Sequence, residues 1–424
     1  MRENEGYLYP PGESEKTTYK LISFCRPLIC GLRKNLITVY RCITYFGQEG
    51  SRYNMGRVPI GGCDFSTRPY TYDDYPNDYN LSHFSLALED YEYKLPILKK
   101  ALKLNPDIKL VTAAWSAPPW MKSNNNYYGL GVLKEQYYQL YSEYLVKFLE
   151  AYDKNGVKIW GMSTGNEPLD AYVPFFPINS LGWLPSTAAT WVADYLGPLL
   201  ANSTYKNLVL LAMDDQRFEL PWWPDIMFQN KNASDYVHGV AVHWYWDTLV
   251  SSYRLDETHD RHPDKFILMT EACTGSNLWD NPKVDLGSWS RGEAYAKDII
   301  ENMNHWVVGW LDWNLALDKI GGPNWISNYV DSSIIVEPNT DEFYKQPMYY
   351  ALKHFSRFVP RGSVKIDVTT DSRIHATGFQ TPTGKIVVVL CNEYNYPMKV
   401  TIKDTVDGSI CLELPARSIH TVIY

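Results

Sequence analysis

Two glutamates in this chain stand where short apolar runs end. Glu167 lies in STGNEPLD, residues 163–170, directly behind VKIWGM, and Glu271 closes the run FILMTE. Two carboxylates across a cleft are the minimum equipment for cleaving a glycosidic bond, because one protonates the leaving oxygen while the other attacks the anomeric carbon or activates water. A single glutamate is more often a surface or ion-paired residue, so the interpretation depends on the fold bringing both acids together.

The apolar runs predict the elements that would do this. From about residue 53, they alternate with longer helical patterns, which is typical of βα units and a parallel sheet. Seven runs are interpreted as strands: YNMGRVP (53–59), IKLVTAAW (108–115), VKIWGMST (157–164), NLVLLAM (207–213), VHGVAVHWY (237–245), FILMTE (266–271) and VVGWLDWN (307–314). Helices are predicted between them, for example over residues 133–156, with Gly156 as the C-cap, and over residues 291–306.

Polar side chains at the ends of these runs favour a (β/α)8 barrel over an open sheet. The runs end in Asn-Glu, Asp-Asp-Gln, His-Trp-Tyr, Glu-Ala-Cys and Asp-Trp-Asn, and in a barrel the carboxyl ends of the strands converge on one site. Glu167 and Glu271 are 104 residues apart in sequence, about three βα units at roughly 31 residues each. A Rossmann sheet would need a Gly-rich phosphate turn after a strand, and the sequence has none there. Seven strands is one fewer than such a barrel has.

Other chemistries find less support. Asp214 and Asp215 also stand at a strand end and compete with the glutamates, and we interpret one of them as a structural hydrogen-bonding acid. The seven cysteines show neither a disulfide framework nor metal-ligand spacing, so we expect no metal and no cofactor. The net charge of −8, with no basic stripe after residue 60, argues against nucleic acid as a partner. The 15% aromatic content fits carbohydrate-lining rings and a Tyr-rich core equally well.

The two ends of the chain differ from its middle. After residue 355 the pattern changes to period 2, with turns at residues 382–384 and 407–408, which predicts a small antiparallel β-sandwich domain over residues 356–424. The barrel is assigned to residues 45–355. Residues 1–44 form an atypical segment without the apolar region of a signal peptide.

The motifs RVPIGGCDFSTRPYTY, NEP, DDQR, HGVAVHWY, TEAC, LGSWSRG, VVGWLDWNLAL, GGPNW and FYKQPMYY are similar to stretches of one family. From about Tyr45 to Tyr424 the chain resembles the lysosomal glucocerebrosidases (glucosylceramidases, acid β-glucosidases; glycoside hydrolase family 30), as an invertebrate member. The resemblance implies that Glu167 is the acid/base and Glu271 the nucleophile of a retaining hydrolysis of glucosylceramide, through a covalent glucosyl-enzyme. Glu167 must then hold a proton, and we expect the Glu271 charge to raise its pKa.

The resemblance implies further site residues. Asn166 is suited to hydrogen-bond the sugar 2-hydroxyl, and Arg57 to position a catalytic carboxylate. Residues expected to hold the glucose or to shape the nucleophile's surroundings are Asp64, Trp115, His243, Tyr245, Trp313 and Asn328. Cys273 is interpreted as a packing residue.

Partners and location also follow from the resemblance. It implies a lysosomal protein with peripheral membrane contact, a saposin-type activator, and a sorting receptor that uses a helical region near Asp331 to Tyr350. The family's signal peptide, Cys-rich segment and GFGG-type first strand are not visible here, so we expect a barrel without its first strand. LITVYRCITYF (36–46) is a candidate surrogate strand. The alternatives are another retaining β-glycosidase of the same clan, acting on xylan, β-1,6-glucan or a glucosylated sterol, and an inactive form that binds glycolipid or partner proteins.

Overall fold

Seven parallel strands form the main sheet of the computed structural model, which describes residues 42–277, 279–370 and 373–424. They pair in the order in which they occur in the sequence. The strands are β1 (Met55–Ile60), β2 (Lys109–Ala114), β3 (Gly161–Ser163), β4 (Val209–Gln216), β5 (Gly239–His243), β6 (Phe266–Glu271) and β7 (Val307–Trp310). All seven predicted strands are confirmed. Strands buried on both faces appear in sequence as nearly continuous apolar runs, which is why the sequence could locate them.

Helices provide the crossovers that parallel neighbours require. The main α-helices after residue 90 are α1 (Leu95–Leu104), α2 (Tyr138–Lys154), α3 (Pro185–Trp191), α4 (Gly197–Ala201), α5 (Trp222–Met227), α6 (Lys231–Tyr236), α7 (Tyr253–Arg261), α8 (Trp289–Asn304) and α9 (Pro347–Ser356). The two helices named from the sequence are present as α2 and α8. None of the helices that the structure describes is both long enough and apolar enough to span a bilayer.

The end of α2 confirms the role predicted for Gly156. This residue adopts φ +77°, which favours glycine. Its N–H donates to the carbonyl of Asp153 at 2.8 Å, and the N–H of Val157 donates to that of Tyr152 at 3.0 Å. These two bonds form a Schellman motif, which ends the helix.

Much of the aromatic content lies in the core between the sheet and its helices. Helix α2 buries Tyr141, Tyr144, Phe148 and Tyr152 on one face, at the three- and four-residue spacing of a helix. The rings of Phe148 and Tyr152 lie 4.3 Å apart. A large part of the aromatic signal is therefore packing rather than ligand binding.

The main sheet has two open edges within the described residues, because β1 pairs only with β2 and β7 only with β6. A cavity of about 640 Å³ lies between them, lined by residues 55–58 of β1 and 307–310 of β7. The sheet is therefore curled, with its edges facing each other across a gap. Among the described residues, this geometry is that of the predicted barrel with one strand fewer than eight. Neither Glu167 nor Glu271 lines the cavity.

The surrogate strand expected over residues 36–46 is wrong where it can be checked. Residues 42–46 are helical, and residues 36–41 lie outside the described residues. Helical spacing buries Cys42, Tyr45 and Phe46 on one face, and the N–H of Gly47 donates to the carbonyl of Ile43 at 2.9 Å. The Tyr45 and Phe46 side chains line the cavity, so this short helix closes the gap without pairing with either strand.

The region near Asp331 to Tyr350 is mainly a β-hairpin, so the expectation of a helical region there is wrong. Strands β9 (Ile334–Glu337) and β10 (Glu342–Lys345) pair antiparallel, and β8 (Leu317–Asp318) pairs with β9. β-branched and aromatic residues favour the strands, and Asp341 at φ 60° reverses the chain. Helix begins only at Pro347.

The C-terminal residues form the predicted antiparallel β-structure. One sheet has the order β11 (Val364–Ile366), β12 (His375–Gln380), β13 (Ile386–Asn392) and β16 (Ser418–Ile423), and the other pairs β14 (Met398–Asp404) with β15 (Gly408–Leu414). Val387, Val389 and Ile419 pack in one cluster with Ile299 of α8 and Met348 of α9. The cluster joins this β-sandwich to the barrel.

Candidate active site

The loop after β3 holds Glu167 through backbone contacts on both sides. The N–H of Asn166 donates to the carbonyl of Ala114 at 3.0 Å, and that of Glu167 to the carbonyl of Asp214 at 3.0 Å. Glu167 adopts φ 42°, a left-handed conformation that costs a non-glycine residue about 1–2 kcal/mol. The hydrogen bonds to β2 and β4 compensate for this strain and fix the carboxyl group at the carboxyl end of the sheet.

Glu271 is the last residue of β6 and is 5% exposed. Its Oε2 accepts from Arg57 Nη1 at 2.5 Å, and its Oε1 accepts from the Tyr245 hydroxyl at 2.8 Å. Burial raises the pKa of Glu271, and the positive charges of His243 and Arg57 limit the rise. With a donor on each oxygen, the carboxylate is held in one orientation, as an attacking group requires.

The two glutamates face each other at short range. One carboxylate oxygen of Glu167 and one of Glu271 lie within 4.8 Å of each other and of a ring nitrogen of His243. Retaining glycosidases place their two carboxyl groups about 5–5.5 Å apart, whereas inverting enzymes leave about 6.5–9.5 Å for a water molecule. The separation is that of a retaining site. A metal ion is disfavoured among these three groups because Arg57 and Tyr245 already donate to both oxygens of Glu271.

His243, at the end of β5, bridges the acid/base to a buried aspartate. Its Nδ1 lies 3.0 Å from Glu167 Oε1, and its Nε2 lies 3.2 Å from Asp214 Oδ1. Burial alone would lower the pKa of His243, but the Glu271 charge and the hydrogen bonds to Asp214 and Glu167 raise it to about 10. With a carboxylate against each ring nitrogen, the geometry favours an imidazolium that donates from both nitrogens.

Asp214 is the structural hydrogen-bonding acid that the sequence led us to expect. Its oxygens accept from Arg57 at 2.8 Å, Ser163 at 2.6 Å and Thr270 at 2.6 Å, in addition to His243. Burial opposes its ionisation, yet the Arg57 charge and the hydrogen bond from His243 hold the pKa of Asp214 far below its usual range. It serves as the fixed anion under the site.

Arg57 links these groups from β1, as predicted. Besides Glu271 and Asp214, it donates from Nη2 to Asn166 Oδ1 at 2.6 Å, and its guanidinium lies 4.7 Å from the centroid of the Trp115 ring. Because Asn166 accepts through its oxygen, its amide nitrogen remains the group that can donate to a sugar hydroxyl. One side chain thus orients both Glu271 and the amide group of Asn166, next to Glu167.

The residues expected to hold the sugar lie together. The rings of Trp115 and Trp313 stack with centroids 5.0 Å apart, and Asp64 Oδ2 accepts from Asn328 at 3.0 Å and from Asn324 at 3.1 Å. Burial raises the pKa of Asp64 to about 7, against the lowering effect of the Asn328 hydrogen bond. A buried carboxyl group and an aromatic face are both suited to sugar recognition, the carboxyl group through the hydroxyls and the ring through the apolar face.

One electrostatic expectation is wrong in the unliganded site. The pKa of Glu167 was expected to be raised by Glu271. Burial does act in that direction, but the hydrogen bond and charge of His243 outweigh it, and the pKa of Glu167 lies below its ordinary value.

Sequence reasoning also missed three site residues. Gln216 donates to Glu167 Oε1 at 2.8 Å, Asn324 supports Asp64, and Asp170 contacts Glu167. Gln216 stood in the DDQR motif at a strand end and Asn324 in GGPNW, so position could have flagged both.

Paired carboxylates at the carboxyl ends of parallel barrel strands define the protein as a retaining glycoside hydrolase. The family comparison agrees. The family model "Glycosyl hydrolase family 30 TIM-barrel domain" matches residues 34–359, and "Glycosyl hydrolase family 30 beta sandwich domain" matches residues 362–422. The chain belongs to glycoside hydrolase family 30. Residues 34–44, which by sequence alone resembled nothing in that family, fall within the matched region.

Individual relatives support the same assignment. The chain is 42% identical over 389 residues to the lysosomal acid glucosylceramidase of Mus musculus, covering 90% of this chain and 75% of that protein. Among solved structures, SrfJ from Salmonella typhimurium is similar with a TM-score of 0.85 at 27% identity, over 92% of this chain and 85% of that one. The endo-beta1,6-glucanase BT3312 has a TM-score of 0.81 at 26% identity, over 91% and 86%.

Proposed function

We propose that this glycoside hydrolase cleaves glucosylceramide into glucose and ceramide. The observation that carries the proposal is the catalytic pair itself, with carboxylate oxygens within 4.8 Å and separate donors on each acid. The 42% identity to a glucosylceramidase supports the choice of substrate over the other retaining glycosidases.

In the first step, Glu271 attacks the anomeric carbon while Glu167 protonates the ceramide oxygen, which leaves a glucosyl ester on Glu271. Arg57 and Tyr245 hold the nucleophile in place, and Asn166 donates to the 2-hydroxyl as charge develops on the ring. In the second step Glu167 takes a proton from water, the water oxygen bonds to the anomeric carbon, and Glu271 leaves as a carboxylate. The configuration at that carbon is retained.

Apolar side chains around the site support a lipid aglycone. Loops leaving the carboxyl ends of the strands expose Phe175 at 96%, Leu249 at 76% and Trp279 at 80%, and Phe218 and Trp246 are also exposed. These loops follow β3, β4, β5 and β6, so they share the barrel face that holds the catalytic pair. Exposed apolar groups on one face favour contact with a membrane surface or with lipid chains.

Location and partners remain part of the proposal. The name of the mouse relative supports a lysosomal setting and a role in sphingolipid metabolism. A saposin-type activator would present the lipid to the apolar rim. A sorting receptor would contact residues 331–350, which form a hairpin followed by the start of α9.

Glucose release from glucosylceramide in anionic vesicles, at mildly acidic pH, tests the proposal. The purified chain should cleave this lipid in preference to xylan, β-1,6-glucan or a glucosylated sterol, and E271Q should abolish turnover, while the exposed-site control E413Q leaves it unchanged. Cleavage of β-1,6-glucan without cleavage of the lipid would instead favour the same-clan alternative, which the similarity to BT3312 keeps open. Full activity in E271Q would reject the nucleophile assignment. A purified chain that binds the lipid without turning it over would be the inactive form.

A further inference from the structure

The unliganded site shows where Glu167 receives hydrogen bonds but not what supplies its catalytic proton. Gln216 donates to Glu167 Oε1 at 2.8 Å, and the His243 imidazolium lies 3.0 Å from the same oxygen. Groups that donate to a carboxyl oxygen favour its ionised form. Glu167 therefore rests as a carboxylate, although protonation of the leaving oxygen needs an acid.

Asp170 is placed to provide it. A tight turn follows the catalytic residue, in which the Asp170 N–H donates to the Glu167 carbonyl at 3.1 Å. The turn brings the partly buried Asp170 side chain back onto Glu167, where the two carboxyl groups are hydrogen-bonded to each other. Carboxyl groups form such a bond only when one of them carries a proton, because two carboxylates offer acceptors alone.

A second carboxyl pair lies behind the first. Asp215 Oδ1 accepts from the N–H of Gln216 at 2.8 Å, and Oδ2 accepts from the N–H of Leu169 at 3.3 Å. Glu219 is fully buried beside Asp215, and neither of its carboxyl oxygens has a hydrogen-bond partner among the described residues. Burial and the charge of Asp215 raise the pKa of Glu219 to about 11, so this pair also holds a proton.

The charged surroundings keep the proton of the first pair on Asp170. The titratable and charged groups around Glu167 are Arg57 of β1, Asp64 beyond β1, Asp214 and Asp215 of β4, Glu219 beyond β4, His243 of β5, Tyr245 beyond β5 and Glu271 of β6, together with Asp170. His243 touches Glu167 directly and stabilises its negative charge. Burial, with the charges of Glu167 and Asp215, raises the pKa of Asp170 to about 10.

We propose that Asp170 stores the catalytic proton for Glu167 and is a positioning residue of the acid/base. When the glycosidic oxygen replaces a donor at Glu167, the proton moves along the carboxyl–carboxyl hydrogen bond from Asp170 to Glu167. Glu167 then gives it to the leaving oxygen as the bond from that oxygen to the anomeric carbon breaks. In the second step Glu167 takes one proton from the attacking water and passes it back to Asp170. One water molecule is consumed and both carboxyl groups return to their starting state.

The test compares two β-glucosides whose leaving groups differ, because protonation matters only for a poor one. The Asp170 proposal rests on the proposed function only through the assignment of Glu167 as the acid/base. In D170N the amide still donates to Glu167 but carries no acidic proton. The ratio of kcat/KM for an alkyl β-glucoside to that for 2,4-dinitrophenyl β-glucoside should fall at least tenfold, and at most by the factor of about 10²–10⁴ that general acid catalysis contributes in full. The alkaline limb of the alkyl-glucoside profile should move to lower pH by more than about one unit. D170E should restore part of both.

E219Q is the matched buried control, since it replaces an acid by its amide in the Asp215–Glu219 pair, which does not touch Glu167. D194N makes the same replacement at an exposed aspartate and is the exposed control. Both should leave the ratio and the alkaline limb within about a factor of two of the unaltered protein. An unchanged ratio in D170N, equal losses on both glucosides, or an equal shift in E219Q would overturn the proposal. If the unaltered protein cleaves neither glucoside, the proposed function fails instead. If D170N does not melt cooperatively, the infrared difference spectrum between the unaltered protein and D170E decides: the proposal requires a protonated-carboxyl difference band at neutral pH, which the Asp215–Glu219 pair, common to both proteins, does not supply, and a flat difference spectrum would overturn it.

Discussion

Replacing Arg57 with lysine should impair catalysis although the positive charge is kept. The guanidinium donates to Glu271 at 2.5 Å, to Asp214 at 2.8 Å and to Asn166 at 2.6 Å, and its side chain is 2% exposed. Lysine keeps the positive charge but lacks the planar fork that reaches three acceptors at once.

The magnitude follows from the bonds lost. We expect the ammonium to keep two of these three bonds and to leave one charge-assisted bond to a carboxylate unmade, at about 1.5–3 kcal/mol. If this cost appears in the transition state, kcat/KM falls about 10- to 150-fold, since 1.36 kcal/mol corresponds to a factor of ten. The melting temperature should also fall, because a buried carboxylate loses its partner.

Steady-state hydrolysis of a fluorogenic β-glucoside and a thermal melt measure both effects. R52K is the matched control and should behave as the unaltered protein, because Arg52 is only half-buried and its hydrogen bond to the Gln48 carbonyl is exposed. If R57K retains kcat/KM and the melting temperature within the error of R52K, the view that the fork orients Glu271 is refuted.

Three further changes test other parts of the site. The folded-state pKa of His243 is raised to about 10, so its contribution to stability is complete below the unfolded value of about 6.5 and is lost as pH rises toward 10. H243Q should therefore flatten the fall in melting temperature at alkaline pH. An unchanged fall would contradict this. N324A removes one of two amide donors to Asp64. It should raise KM about three- to tenfold, the effect of about 1 kcal/mol, with a smaller change in kcat. An unaltered KM would argue against contact between glucose and Asp64. The double change F175S and L249S should lower hydrolysis of vesicle-bound glucosylceramide severalfold but not that of a soluble glucoside, and equal effects on both would argue against a lipid-facing rim.

The prediction from sequence was most successful where the signal is local. The seven buried strands appear as apolar runs, and the motifs around Glu167 and Glu271 locate the catalytic pair by resemblance. The hairpin at residues 334–345 was missed because its residues carry no long period, and the helix at residues 42–46 because its apolar spacing fits a strand as well.

By itself, the sequence determined the parallel strands and the two-domain architecture, because both follow from patterns along the chain, and it predicted the catalytic acids through the family resemblance. Only the tertiary structure decided which charges meet. It brings Arg57 to Glu271 across 214 residues and His243 to Glu167 across 76, and it places Asp170 against Glu167 in the same buried space. The pKa of a buried acid depends on burial, hydrogen bonds and neighbouring charges in three dimensions. For that reason the resting ionisation of Glu167, and the store from which we propose it draws its proton, could be read only from the folded chain.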